Sequence, residues 1–246
     1  MYTYAMERSA YVEMYLNEDR HWWFVARRKI IDRVLSSFLR DGQKRKILEI
    51  GCGTGGNLKF LSAYGDLNAI EVDEGALVMA SKRGFGNVVK GSLPDNIPFE
   101  GGFDLICMLD VLEHIDDDLG ALESVSKRLY PGGKILITVP AFRILWSGHD
   151  LALGHKRRYG KKELIRILEV SGFRVIYSTY FNVLLFPLVA TVRILKKKFI
   201  KKPGTDVTMP SGFINDLLVA IFSSERILMP RMSFPFGTSI LILAEK

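Results

Sequence analysis

The string Glu49-Ile50-Gly51-Cys52-Gly53-Thr54-Gly55-Gly56 limits the fold more than any other stretch of the chain. A short apolar run, Lys46 to Ile50, leads into it, and helical spacing follows from Asn57 to Tyr64. Glycines at such a point let the chain turn tightly and let main-chain N–H groups come close to a ligand. An acid, Glu71, falls at the end of the next apolar run, Leu67 to Val72. Strand, glycine loop, helix, strand and acid together describe a nucleoside site, in which the carboxylate is placed to accept from both ribose hydroxyls.

The same rhythm continues along the chain. Helical patterns at 74–83, 119–129 and 161–171 alternate with short apolar runs at 88–89, 103–108, 134–139 and 174–181, and a last run covers 238–243. Near-continuous apolar strands separated by helices predict an α/β fold, a doubly wound, mostly parallel seven-stranded sheet covered on both faces. Leu129-Tyr130-Pro131-Gly132-Gly133-Lys134 reads as a turn into the fifth strand, and the final strand as an antiparallel partner at a sheet edge. Ile30, Ile31, Val34, Leu35, Phe38 and Leu39 share one face of a helix. The expected organisation is therefore an N-terminal helical cap over 1–45, a Rossmann-like core over 46–181, a helical, partly basic insertion over 182–235 and the last core strand over 236–246.

Composition narrows the class. Of 246 residues 48% are hydrophobic and 25% charged, which excludes disordered and fibrous chains. Two cysteines, Cys52 and Cys107, make no disulfide framework, so a reducing, cytoplasmic setting is expected. No secretory signal is read at the start, and the longest uncharged apolar run, Phe181 to Val192, is too short to span a bilayer.

Gly51, Gly53 and Gly56 also satisfy the dinucleotide fingerprint, so an NAD-dependent oxidoreductase is one reading of the loop. Glu49 argues against it, because a carboxylate there opposes a pyrophosphate and suits a ligand with an ammonium group. The segments ILEIGCGTG, IEVDEGAL, PFEGGFDLICMLDVLEHI and LYPGGKILITVPA resemble, in order and spacing, class I S-adenosylmethionine-dependent methyltransferases. The resemblance implies S-adenosyl-L-methionine as cofactor. It sets Gly51, Gly53 and Gly55 against the methionine part, Glu49 near its amino group, Glu71 and Val72 at the ribose, and Ser92 and Leu93 beside the adenine. That family usually has Asp where this chain has Ser92. Asp110 is expected under the cofactor and Arg27 at its carboxylate. His21-Trp22-Trp23-Phe24, Gly154-His155-Lys156-Arg157-Arg158-Tyr159 and Pro235-Phe236-Gly237-Thr238-Ser239 are similar to a subgroup found beside polysaccharide and lipid-glycan genes.

Methyl transfer from a sulfonium is an in-line displacement in which the protein aligns the partners, excludes water and, for a hydroxyl, supplies a base. His149, next to Asp150, and His155 lie in the segment after the fifth strand, where loops face the ligand crevice, and are the candidate bases. His114 reads as structural. His149 and His155 lack a third ligand at metal-site spacing, so no metal is expected. Trp23, Asp150, Arg158 and Tyr159 are the candidate acceptor contacts; Arg157 and Arg158 could bind a phosphate or carboxylate on the acceptor, although such a pair is more often solvated surface.

The insertion sets an apolar run beside Arg193, Lys196, Lys197, Lys198, Lys201 and Lys202, and then a second amphipathic helix. Residues 181–202 so read as an anchor at an anionic, inner-face membrane, or as a homodimer interface. Nucleic acid is not expected, because the basic run lacks interleaved aromatics apart from Phe199. The expected function is O-methylation of a glycan, lipid-linked or small hydrophobic acceptor; a non-catalytic cofactor-binding regulator is the other alternative.

Overall fold

In a computed structural model, which describes residues 8–39, 42–199 and 208–246, the predicted strands are β1 (Arg45–Ile50), β2 (Gly65–Glu71), β3 (Asn87–Lys90), β4 (Phe103–Leu109), β5 (Leu129–Pro140), β6 (Arg174–Phe181) and β7 (Ser239–Glu245). They form a seven-stranded sheet in the order β3-β2-β1-β4-β5-β7-β6. The first five are parallel neighbours, and β7 runs antiparallel to both β5 and β6. The expected edge position of the last strand is thus corrected: β7 lies inside the sheet and β6 is the edge. Ile240 to Ala244 are all buried, so β7 needs a partner on each side, whereas β6 begins at the exposed, ion-paired Arg174.

Alternation along each strand divides the apolar residues between two faces. Ile47, Leu105, Leu136 and Leu241 point to one, together with Ile30, Ile31, Val34 and Leu35 of α2 (Trp22–Leu39). Leu48, Ile106, Ile135 and Ile242 point to the other. That second face is covered by Ala121, Leu122 and Val125 of α5 (Asp118–Arg128) and by Leu164 and Leu168 of α7 (Lys161–Val170). Ahead of α2 lies α1 (Arg8–Asn17). The core helices are α3 (Leu58–Leu61), α4 (Glu74–Lys82), α5 (Asp118–Arg128), the short α6 (Gly148–Ala152) and α7 (Lys161–Val170). The expected turn at 129–134 appears as a bulge inside β5: Leu129 pairs with Phe103 and Lys134 with Leu105, leaving four residues looped out with Gly132 at φ 76°.

Between β6 and β7 stand α8 (Phe186–Phe199) and α9 (Gly212–Ser224). α9 is part of the core on its inner face: Phe222 is fully buried and stacks on Trp23 at 5.3 Å and on Phe181 at 6.1 Å. Glu225, buried just after α9, accepts the N–H groups of Asn182, Val183 and Leu184 and so pins the chain entering α8. The side chains of Lys196, Lys197, Lys198, Lys201 and Lys202 lie outside the described residues. Among the described residues no helix is long and apolar enough to cross a membrane.

Candidate cofactor and acceptor site

Strand order reverses between β1 and β4, and in open sheets the ligand crevice lies at that point, beyond the carboxyl ends of the strands. Backbone conformation marks the same edge. Gly51 follows β1 at φ 66°, Asp110 follows β4 at φ 62°, Phe142 follows β5 at φ 55° and Asn182 follows β6 at φ 57°. Left-handed non-glycine residues are uncommon and gather at functional sites.

Gly53 and Gly55 also have positive φ, 55° and 86°. A Cβ on Gly55 would come within 2.9 Å of the Ala80 main chain in α4, so only glycine allows that approach; one on Gly53 would meet nothing, which leaves that side open for a ligand. Glu49 is fully buried beneath the loop. Its Oε1 accepts from Asn57 Nδ2 at 2.9 Å, and its Oε2 has no partner. Burial pushes the carboxyl up to about 8, against the pull of Asn57 and Arg27. An unsatisfied buried carboxylate oxygen fits the ammonium group of an aminoacyl cofactor and not a pyrophosphate.

Glu71, the acid expected at the ribose, is already engaged. Oε1 accepts from Val72 and Asp73 N–H, each at 2.9 Å, and Oε2 from Gly53 N–H at 2.8 Å. Val72 offers its amide here while its side chain is exposed. Ser92 and Leu93 follow β3; Ser92 exchanges two main-chain bonds with Asn96, and Leu93 packs on the core. Glu18 was missed in the sequence. It leaves the cap to accept from Thr54 Oγ1 and Arg83 Nη2, both at 2.5 Å, and so clamps the glycine loop. No local spacing links Glu18 to Thr54.

Asp110 is ion-paired to Arg27 Nη2 at 2.9 Å, and Thr138 Oγ1 bridges the two, accepting from Arg27 at 2.9 Å and donating to Asp110 at 3.1 Å. Arg27, expected at the cofactor carboxylate, thus has its Nη2 engaged by Asp110 and Thr138, while its buried Nε has no hydrogen-bond partner.

On the acceptor side, Asp150 is buried and accepts from Arg158 Nε at 2.7 Å, Arg158 Nη2 at 3.0 Å and Ser147 N–H at 2.8 Å, and faces His155 Nδ1 at 2.9 Å. Burial alone would raise this carboxyl; the bonds from His155 and Arg158 overcome it and hold it far below the usual range. Asp150, Arg158 and Tyr159, the candidate acceptor contacts, are all buried and bonded within the protein. Arg158 is used up by Asp150 and the Ala141 carbonyl, and Tyr159 is buried with its hydroxyl on Asp118. Arg157 is ion-paired to Asp118. Asp150 orients His155, five residues on, and not its neighbour His149, whose ring centroid is 6.4 Å from that of His155. Trp23 packs between Phe222 and Phe181 in the core, which accounts for it without an acceptor. His114 stands edge-on to His155, with ring centroids 4.8 Å apart. Glu113, fully buried beside them, was also missed, because its burial is settled by the fold and not by its neighbours in sequence. Phe142 stacks on Tyr180 at 5.1 Å and meets Phe186 at 5.9 Å, and Phe186 meets Phe236 at 5.5 Å. These rings form an aromatic wall at the ends of β5 and β6.

A switch-point crevice with a glycine loop, a buried carboxylate beneath it and an acid at the end of the second strand is the arrangement of the class I S-adenosylmethionine-dependent fold. The chain belongs to the methyltransferase-domain family, whose model matches residues 20–178, and the dinucleotide reading of the loop is set aside. It is 29% identical over 141 residues, 53% of this chain and 52% of the other, to a protein of Mycolicibacterium smegmatis named "Probable S-adenosylmethionine-dependent methyltransferase". It is 26% identical over 104 residues to the ubiquinone biosynthesis O-methyltransferase of Pseudomonas aeruginosa, covering 38% of this chain and 44% of that one. The chain thus spans about half, or less, of the length of these relatives. Among solved structures, magnesium protoporphyrin IX methyltransferase from Synechocystis, crystallised with bound S-adenosylmethionine, shares the fold with a TM-score of 0.54 at 12% identity, over 91% of this chain and 81% of that one.

Proposed function

We propose that this chain transfers a methyl group from S-adenosyl-L-methionine to an oxygen of a hydrophobic acceptor, small or lipid-linked and carrying a glycan or other hydroxyl, and that His155 activates that oxygen. Bound cofactor would supply the electrophilic methyl and its leaving group. Glu49 holds the ammonium group, Glu71 the ribose, and Asp110, fixed by Arg27, lines the floor. The observation that carries the reading is the Asp150–His155 pair. A carboxylate that accepts on every side leaves the Nδ1 proton on His155 and the lone pair on Nε2, the atom that would act on the acceptor oxygen. The likeness to an O-methyltransferase supports oxygen as the acceptor atom, and the aromatic wall supports an apolar body.

A lipid-linked acceptor is favoured by one further observation. Leu184, Leu188 and Val192 at α8, and Phe213, Ile214 and Leu217 on α9, are exposed, Phe213 at 81%. Exposed apolar residues of this kind suit an interfacial contact, and the sequence after Val192 adds Arg193, Lys196, Lys197, Lys198, Lys201 and Lys202, cations that an anionic membrane would attract. The test is methyl transfer from isotopically labelled cofactor into lipid and glycolipid extracts, followed by His155→Ala and His149→Ala on the acceptor found. Loss of about 10²–10⁴-fold in rate at His155 with unchanged cofactor affinity is expected. Less than threefold loss at both positions contradicts an activating histidine.

A further inference from the structure

Glu113, His114 and His155 each offer one ligand atom, and these atoms lie within 4.8 Å of one another. Glu113 and His114 sit in the 3-10 turn Leu112–His114 after β4, and His155 comes from the segment between β5 and α7. The main chain ties the two together, Lys156 N–H donating to the Glu113 carbonyl at 2.9 Å. The Glu113 carboxylate is fully buried, and neither of its oxygens has a hydrogen-bond partner. His155 Nε2 is 3.9 Å from Glu113 Oε1. Its Nδ1 faces Asp150, which only accepts, so the proton sits on Nδ1 and the lone pair on Nε2 faces Glu113.

Two imidazoles and an orphaned buried carboxylate therefore converge on one point, and one imidazole is backed by a second carboxylate. Carboxylate behind histidine is the arrangement that fixes tautomer and orientation in metal ligation. We propose that Glu113, His114 and His155 bind a divalent transition-metal ion, with coordination positions left open to the acceptor. Two nitrogens and one oxygen suit zinc, iron(II) or manganese better than calcium or magnesium. Metal–ligand distances of about 2.0–2.2 Å set ligand atoms roughly 3.3 Å apart, so the widest pair closes by about 1.5 Å, a side-chain adjustment. This rests on the reading that His155 activates the acceptor, and names the means. The ion draws electron density from the bound hydroxyl oxygen and the O–H proton passes to water. The oxyanion forms its bond to the methyl carbon as the S–CH₃ bond breaks, and the electron pair returns to sulfur as the neutral thioether.

The test is calorimetric titration of the chelator-treated full chain with Zn²⁺, with neither cofactor nor acceptor present, and visible absorption on titration with Co²⁺. One saturable Zn²⁺ site at micromolar or tighter affinity is expected, with a Co²⁺ d–d band. Affinity should fall at least tenfold in Glu113→Gln, His114→Ala and His155→Ala, and by about 10–100-fold in Asp150→Asn, which touches no ion. Should a variant fail to fold, Asp150→Asn and the wild-type Co²⁺ spectrum still decide. Absence of saturable binding of either ion by the wild type, or affinity unchanged in the folded variants, overturns the proposal. Binding of S-adenosylhomocysteine is measured separately, so a protein that binds the nucleoside but no metal rejects this inference and leaves the methyltransferase reading standing.

Discussion

Glu71 Oε2 accepts the main-chain N–H of Gly53 at 2.8 Å, so the acid at the end of β2, proposed above to hold the ribose, also holds the glycine loop. Two carboxylate oxygens offer about four acceptor sites, and Val72, Asp73 and Gly53 take three of them. Glu71→Ala therefore disturbs the loop and the ligand together. Glu71→Gln keeps the volume and weakens the acceptor. Hydrogen bonds to charged groups are worth about 1.5–3 kcal/mol, so S-adenosylhomocysteine affinity in Glu71→Gln should fall tenfold or more, by calorimetry.

Glu49 makes cofactor binding pH-dependent. Its carboxyl, raised by burial to about 8, is largely protonated in the free protein at pH 7. An ammonium group beside it favours the ionised form, so binding at pH 6.5–7 should release a proton, and affinity should weaken as the pH falls below about 8. Calorimetry in two buffers of different ionisation enthalpy reads the release; Glu49→Gln should abolish it. The sign for stability is opposite to that of a paired carboxylate. The folded state holds the proton longer than the unfolded one, so the Glu49 contribution declines as pH rises from about 4.5 to 8. Thermal melts of Glu49→Gln should lack that decline.

Phe222→Ala tests whether α9 is core. Truncating a fully buried phenylalanine costs about 3–5 kcal/mol, and here it also removes stacking on Trp23 and Phe181. At roughly 2–4 °C per kcal/mol for a chain of this size, the melting temperature should drop by about 6 °C or more. A drop under 2 °C would make α9 an appendage.

Most of the framework was legible because it follows periodicity. All seven strands and the helices flanking them stand within a few residues of the expected places, since buried parallel strands and amphipathic helices write their burial into adjacent residues. The glycine loop with Glu49 and Glu71 was legible for the same reason, being local. Long-range choices were not. Nothing near β7 says that it enters between β5 and β6. Nothing near Arg158 says that Asp150 consumes it, and nothing near Glu113 says that His155 folds back beside it.

The basic run that begins in the last turns of α8 supplies a membrane test. Each cation near an anionic surface is worth about 1 kcal/mol, so changing Lys196, Lys197 and Lys198 to Gln should reduce binding to anionic vesicles by on the order of a hundredfold, with cofactor affinity unchanged. Sedimentation with vesicles at low and high salt reads this. Wild-type protein left in the supernatant at low salt contradicts a membrane surface, and a concentration-dependent mass by light scattering would point to a second copy of the chain.

If the crevice between β1 and β4 holds S-adenosylmethionine through Glu49 and Glu71, calorimetry of the wild-type chain with S-adenosylhomocysteine and with NAD, in parallel, will tell the two ligands apart. One saturable site for S-adenosylhomocysteine is expected, weakened in both Glu49→Gln and Glu71→Gln, with no heat of binding from NAD. Binding of NAD without binding of S-adenosylhomocysteine would contradict it.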